Sequence, residues 1–102
     1  MRGGGAPDAF ICRNDPTAAK LMQTLGTLNI KVPKKVQVGG FDDSEIANLT
    51  APTLTTIHQP VKTLAEIAVA SLLQRTRNPS LAPRTILIDA PIVVRGSSKA
   101  SG

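Results

Sequence analysis

Three short apolar runs, each closing on a polar side chain able to hydrogen-bond a ligand, constrain the fold of this 102-residue chain most strongly. They are Asp8-Ala-Phe-Ile-Cys-Arg-Asn14, Val36-Gln-Val-Gly-Gly-Phe-Asp42 and Leu54-Thr-Thr-Ile-His-Gln59. The first, over 9–13, shows no clean alternation, which predicts a strand covered on both faces. Asp15-Pro16 then reads as a helix start, with Asp15 as N-cap and Pro16 at the first helical position. Ala18, Leu21, Met22, Leu25 and Leu28 recur at the i, i+3, i+4, i+7 spacing of one buried helical face and predict a helix over 16–28. Asn29 is suited to end it in the left-handed conformation, and Pro33 prevents continuation. Gly26, inside that helix, weakens it slightly.

The second strand is expected over 36–41, where Gly39-Gly40 permits close backbone approach. A short helix over 43–49 takes Asp42 or Asp43 as its cap, and 52–59 is extended. Pro60 opens a second helix with the apolar stripe Val61, Leu64, Ala65, Ala68, Leu72, ending before Asn78-Pro79. Two further strands are expected over 84–89 and 91–95. This alternation of strands and helices defines an α/β fold on a parallel sheet. Ligands of such sheets sit outside the carboxyl ends of the strands. Parallel neighbours ending on Asn14 and Asp42 would therefore share one cleft, suited to a small polyhydroxylated molecule. Two long helices are few for so many buried strands, so the sheet is expected to be incomplete: a piece of a larger doubly wound protein, or a chain that pairs with another copy. Residues 1–6 are expected to be disordered, 7–98 to form the ordered portion, and 99–102 a loose tail.

Composition removes several classes of function. The net charge of +5 is scattered along the chain, with only Lys34-Lys35 and Arg75/Arg77 close together, whereas a phosphate footprint needs a stripe on one face. With two Phe and no Trp or Tyr there is almost no platform for stacking single-stranded bases. Cys12 stands alone, so neither an internal disulfide nor a cysteine-based zinc site is expected. No apolar stretch has the length of a membrane span, and no signal peptide is visible at the start, so a cytoplasmic location is expected. Gly39-Gly40 lacks dinucleotide-fingerprint spacing, and no serine sits in a nucleophile elbow. His58, the only histidine, reads as a structural or hinge residue, and Asp15 and Asp43 as caps or structural carboxylates. No enzyme activity, cofactor or metal is expected.

Taken in order, Pro7-Asp-Ala-Phe-Ile-Cys-Arg-Asn-Asp15, Ile30-Lys-Val-Pro33, Val38-Gly-Gly-Phe-Asp-Asp43, Leu54-Thr-Thr-Ile-His-Gln-Pro60 and Val94-Arg-Gly-Ser97 resemble the lactose/galactose-repressor (LacI/GalR) family of bacterial transcription regulators. More distantly they resemble the periplasmic sugar-binding proteins that share its sensor fold. The resemblance covers about residues 7–98 and implies the C-terminal portion of an effector-sensing domain of the periplasmic-binding-protein-like I type. It implies a small-molecule effector, a sugar or similar compound, hydrogen-bonded by Asn14, Asp42 and Gln59. It also implies a homodimer through residues 16–28 and 43–50, and DNA contact only through a helix-turn-helix lying outside these residues. A periplasmic sugar receptor of a transport system and a gene remnant without independent activity remain as alternative readings.

Overall fold

Asn14, Asp15 and Pro16 open the first helix, α1 (Asp15–Thr27), in the computed structural model, which describes residues 7–99. The loose segments expected at 1–6 and 99–102 lie outside the described residues, Lys99 excepted. Asn14, not Asp15, is the N-cap: its backbone is extended and its side-chain oxygen accepts from Thr17 N at 2.9 Å. Proline fits the second helical position as well as the first, because both lack an intrahelical partner for the backbone N–H. Asp15 is thereby freed for another task, described below. Ala18, Met22 and Leu25 are buried as the periodicity predicts, whereas Leu28, at the C-cap, is exposed. Asn29 adopts φ 61°, Asn29 N donates to Gly26 O at 3.1 Å, and Ile30 N to Leu25 O at 2.9 Å. That pair of bonds is a Schellman ending, and Ile30 packs on the core beside Leu25 as such endings do.

The strands are β1 (Ala9–Ile11), β2 (Gln37–Gly39), β3 (Thr56–Ile57) and β4 (Ile92–Val93), with a 3-10 helix at Glu45–Asn48. β1 and β2 pair in parallel with Phe10 opposite Val38. Parallel bridges Gly39↔Thr55 and Asp42↔His58 continue the sheet to β3, so the spatial order is β1-β2-β3-β4. β4 pairs with β3 in the antiparallel sense, which departs from the all-parallel expectation. β1 is also covered on one face only: Phe10 joins the core while Ile11 is 85% exposed, because no described element packs on the other face. Cys12 is half-buried against the same core, and burial pushes its thiol up. The core consists of Ala18, Met22, Leu25, Val36, Val38, Ala47 and Leu54. Burial of a Leu, Val or Met side chain contributes about 1.5–3 kcal/mol, so this group holds α1 and the 3-10 helix against β2. Ser97, fully buried after β4, donates its hydroxyl to Val38 O at 2.5 Å and accepts from Thr55 N at 2.8 Å.

The chain divides into two compact units, Met1–Gln59 with Pro91–Gly102, and Pro60–Ala90. The second contains helix α2 (Val61–Arg77), whose residues are all exposed except for the half-buried Ile67 and Ser71. The predicted stripe Val61, Leu64, Ala65, Ala68, Leu72 is thus uncovered, since no described strand of this unit packs on it. Residues 84–89 form no strand, contrary to expectation, because a strand needs a neighbour for its backbone groups and this unit supplies none. Among the described residues, no helix is long and apolar enough to cross a membrane.

Candidate functional site

The polar tips of the three apolar runs fall at the carboxyl ends of three adjacent strands. β1 leads to Asn14, β2 to Asp42 and β3 to Gln59, and the parallel pairing makes these ends neighbours. Asp15 N donates to Phe41 O at 3.1 Å, so the chain just after Asn14 is tied to the residue just before Asp42. Asp42 N donates to Ile57 O at 2.9 Å, and Gln59 Nε2 donates to Asp42 Oδ1 at 2.9 Å. Asp42 and Gln59 are therefore in direct contact, and both are half-buried. Asn14 spends Oδ1 on capping α1, which leaves Nδ2 without a partner among the described residues.

Two carboxylates assigned by sequence to capping do more. Asp15 is fully buried and accepts three hydrogen bonds: Ser44 N at 2.7 Å and Ser44 Oγ at 3.1 Å on Oδ2, and Thr56 Oγ1 at 2.6 Å on Oδ1. It fastens the start of α1 to the loop after β2 and to β3. A buried charge is tolerable when hydrogen-bonded this fully. Gly40 lies against it, and a Cβ there would collide with Asp15 Oδ1, so the backbone approach anticipated at Gly39-Gly40 is required at Gly40. Neither Asp42 nor Asp43 caps the 3-10 helix. Ser44 occupies that position, and its own polar groups are turned to Asp15.

Asp43 is the second hub. Arg95 Nη2 donates to Asp43 Oδ1 at 2.8 Å, and His58 Nδ1 lies 3.0 Å from Asp43 Oδ2. The Arg95 hydrogen bond, with His58 assisting, holds the Asp43 carboxyl below the usual carboxylate range against the opposing effect of burial. The sequence assigned His58 a structural or hinge role and gave Arg95, part of the Val94-Arg-Gly-Ser97 motif, no role of its own. Nothing local signalled their meeting, since they lie 15 and 52 residues from Asp43. Among the described residues, no three His, Cys, Asp or Glu side chains are grouped to hold a metal ion.

One carboxylate and two carboxamides thus lie at neighbouring strand ends of an open α/β sheet. The model of the periplasmic binding protein-like domain matches residues 1–98. The ribose operon repressor of Haemophilus influenzae is 35% identical over 91 residues, covering 89% of this chain and 27% of the repressor. A LacI-type transcription regulator from Bifidobacterium animalis superposes with a TM-score of 0.79 at 37% identity, covering 92% of this chain and 34% of that one. A LacI family transcriptional regulator from Lactobacillus casei, solved with bound glucose, superposes with a TM-score of 0.73 at 29% identity, over 90% of this chain and 32% of its own. The chain belongs to the periplasmic binding protein-like domain family. It spans about a quarter to a third of the length of these relatives.

Proposed function

We propose that this chain forms part of the effector-sensing domain of a LacI/GalR-type transcriptional regulator, and that Asn14, Asp42 and Gln59 hydrogen-bond a sugar or other polyhydroxylated effector. The observation that carries this reading is the contact of Gln59 with Asp42 beside the strand that leads to Asn14. An ionised carboxylate accepts from two adjacent hydroxyls, and amide groups both donate and accept, as a sugar hydroxyl requires. Hydrogen bonds to an ionised group are about twice as strong as neutral ones, which makes Asp42 the anchor. The glucose bound by the Lactobacillus casei regulator supports a sugar as the effector class. The site binds and does not catalyse; its output is the difference in effector affinity between two conformations of the whole regulator. The regulator acts in the cytoplasm, contacts DNA through residues outside this chain, and forms a homodimer through residues 16–28 and 43–50.

Nuclear magnetic resonance tests the site on this chain directly. Titration of the 15N-labelled protein with millimolar D-ribose and D-glucose is expected to shift the amides of Asn14, Asp42 and Gln59, and Asp42→Ala to abolish the response. Shifts that persist in Asp42→Ala, or resonances at these three positions that answer neither sugar, would overturn the assignment.

A further inference from the structure

We infer that Asp43 is a positioning residue for the proposed effector site: anchored by Arg95, His58 and Thr56, it holds the left-handed turn that aims the Asp42 carboxylate at Gln59. The inference rests on the effector reading of Asn14, Asp42 and Gln59 given above.

Asp42 and Asp43 are consecutive non-glycine residues with positive φ, 116° and 60°. Such conformations cost on the order of 1–3 kcal/mol each and persist only where surrounding contacts over-determine them. The contacts on Asp42 itself are few, and the one made by its side chain is the bond from Gln59 that the ligand would share. Its backbone is tied to β3 by Asp42 N to Ile57 O at 2.9 Å and Gln59 N to Asp42 O at 3.5 Å, and Asp43 adds the side-chain anchors. Its N–H donates to Thr56 Oγ1 at 3.3 Å, one carboxylate oxygen takes Arg95 and the other faces His58. Arg95 is itself fixed, since Nη1 donates to Leu54 O at 3.0 Å and its backbone N–H to Thr55 Oγ1 at 2.8 Å. A guanidinium already held at Nη1 loses less further freedom when Nη2 binds a carboxylate. The Arg95 and Asp43 side chains are only 17% and 16% exposed, so water and salt screen this arm weakly. His58, at 51%, is the weaker arm.

The geometry links the two acids. Asp42 and His58 face each other across a parallel bridge, and two adjacent rungs cross it: Asp42 with Gln59, and Asp43 with His58. Without the Asp43 side chain the strained turn keeps only its backbone bonds to Ile57, Gln59 and Thr56, and Asp42 relaxes away from Gln59. Asp43 touches no ligand in this scheme; it acts through Asp42.

Asp43→Gly separates this role from backbone preference, because glycine adopts positive φ without steric cost yet has no side chain to bind Arg95. Two readouts are taken on the 15N-labelled native chain and the variant: the Gln59 side-chain amide resonance without ligand, and the affinity for D-ribose or D-glucose, whichever the native chain binds more tightly. Asp43→Gly is expected to fold, to move the Gln59 amide toward its position in Asp42→Ala, and to weaken the sugar at least about tenfold, a loss of about 1.4 kcal/mol. Asp43→Asn, which keeps an acceptor for Arg95, is expected to fall between the two. A variant that melts lower but keeps both the Gln59 resonance and the native affinity has lost stability alone, and overturns the inference. If Asp43→Gly does not fold, Arg95→Gln takes its place with the same outcomes. A native chain that answers neither sugar refutes the effector reading and this role with it; a native chain that binds while the variant binds equally refutes only the role of Asp43.

Discussion

Asp15 shows how much of the site depends on single residues. Its carboxylate takes three donors in a fully buried position, and hydrogen bonds to charged groups contribute about 1.5–3 kcal/mol each. Asp15→Ala strands the Ser44 N–H and the hydroxyls of Ser44 and Thr56, and is expected to cost about 3 kcal/mol or more in urea unfolding. Thr56→Val, which removes one donor from Asp15 and the acceptor of the Asp43 N–H, is expected to cost about 1.5–3 kcal/mol. Asp43 sets the pH dependence. Its folded-state value is lowered by the Arg95 hydrogen bond, so its stabilising contribution is present above the ordinary carboxylate range and is lost as pH falls through the folded value. The stability difference between the native chain and Asp43→Asn is expected to shrink as pH falls below the ordinary carboxylate range. A difference that grows on acidification would contradict the Arg95–Asp43 assignment.

At the scale of the element, α1 and α2 contrast. Periodicity predicted both helices, but α1 buries its apolar face and α2 does not. Gly26 has the poorest helix propensity in the interior of α1. A Cβ there meets nothing within 4 Å and no positive φ is required, so Gly26→Ala gains helix propensity without strain. It is expected to raise stability by about 1 kcal/mol, read as a higher melting temperature with unchanged sugar-induced shifts. The C-terminal ending of α1 was legible at Asn29 because a Schellman ending involves only residues within one turn of it. The N-cap was misplaced by one residue, since Asn14 and Asp15 have equal capping chemistry and proline tolerates either register. The uncovered stripe of α2 and the absent strand over 84–89 share one cause: each needs a neighbour that the unit Pro60–Ala90 does not contain.

Over the whole molecule, the apolar surface of α1 and the segment after it supports the proposed homodimer. A groove of about 430 Å³ runs between Ala19, Gln23, Ile46 and Leu49, and Leu49 is 72% exposed. Met22, only 8% exposed, lines the same groove while belonging to the core. Sedimentation analysis is expected to show the native chain as a dimer at high micromolar concentration and Leu49→Glu as a monomer with an unchanged circular dichroism spectrum. A native chain that remains monomeric throughout that range removes the interface from the proposal.

Local chemistry alone determined the two long helices, the ending of α1 and the three polar tips, because each depends on residues within a turn or a short run. Which partners those tips found was decided by tertiary structure. The donors of Asp15 lie 29 and 41 residues away, and the arginine on Asp43 lies 52 away. No periodicity encodes such distances. Parallel pairing of β1, β2 and β3 sets the three strand ends side by side, and only the packed sheet could give the two acids reckoned as caps their roles as anchors.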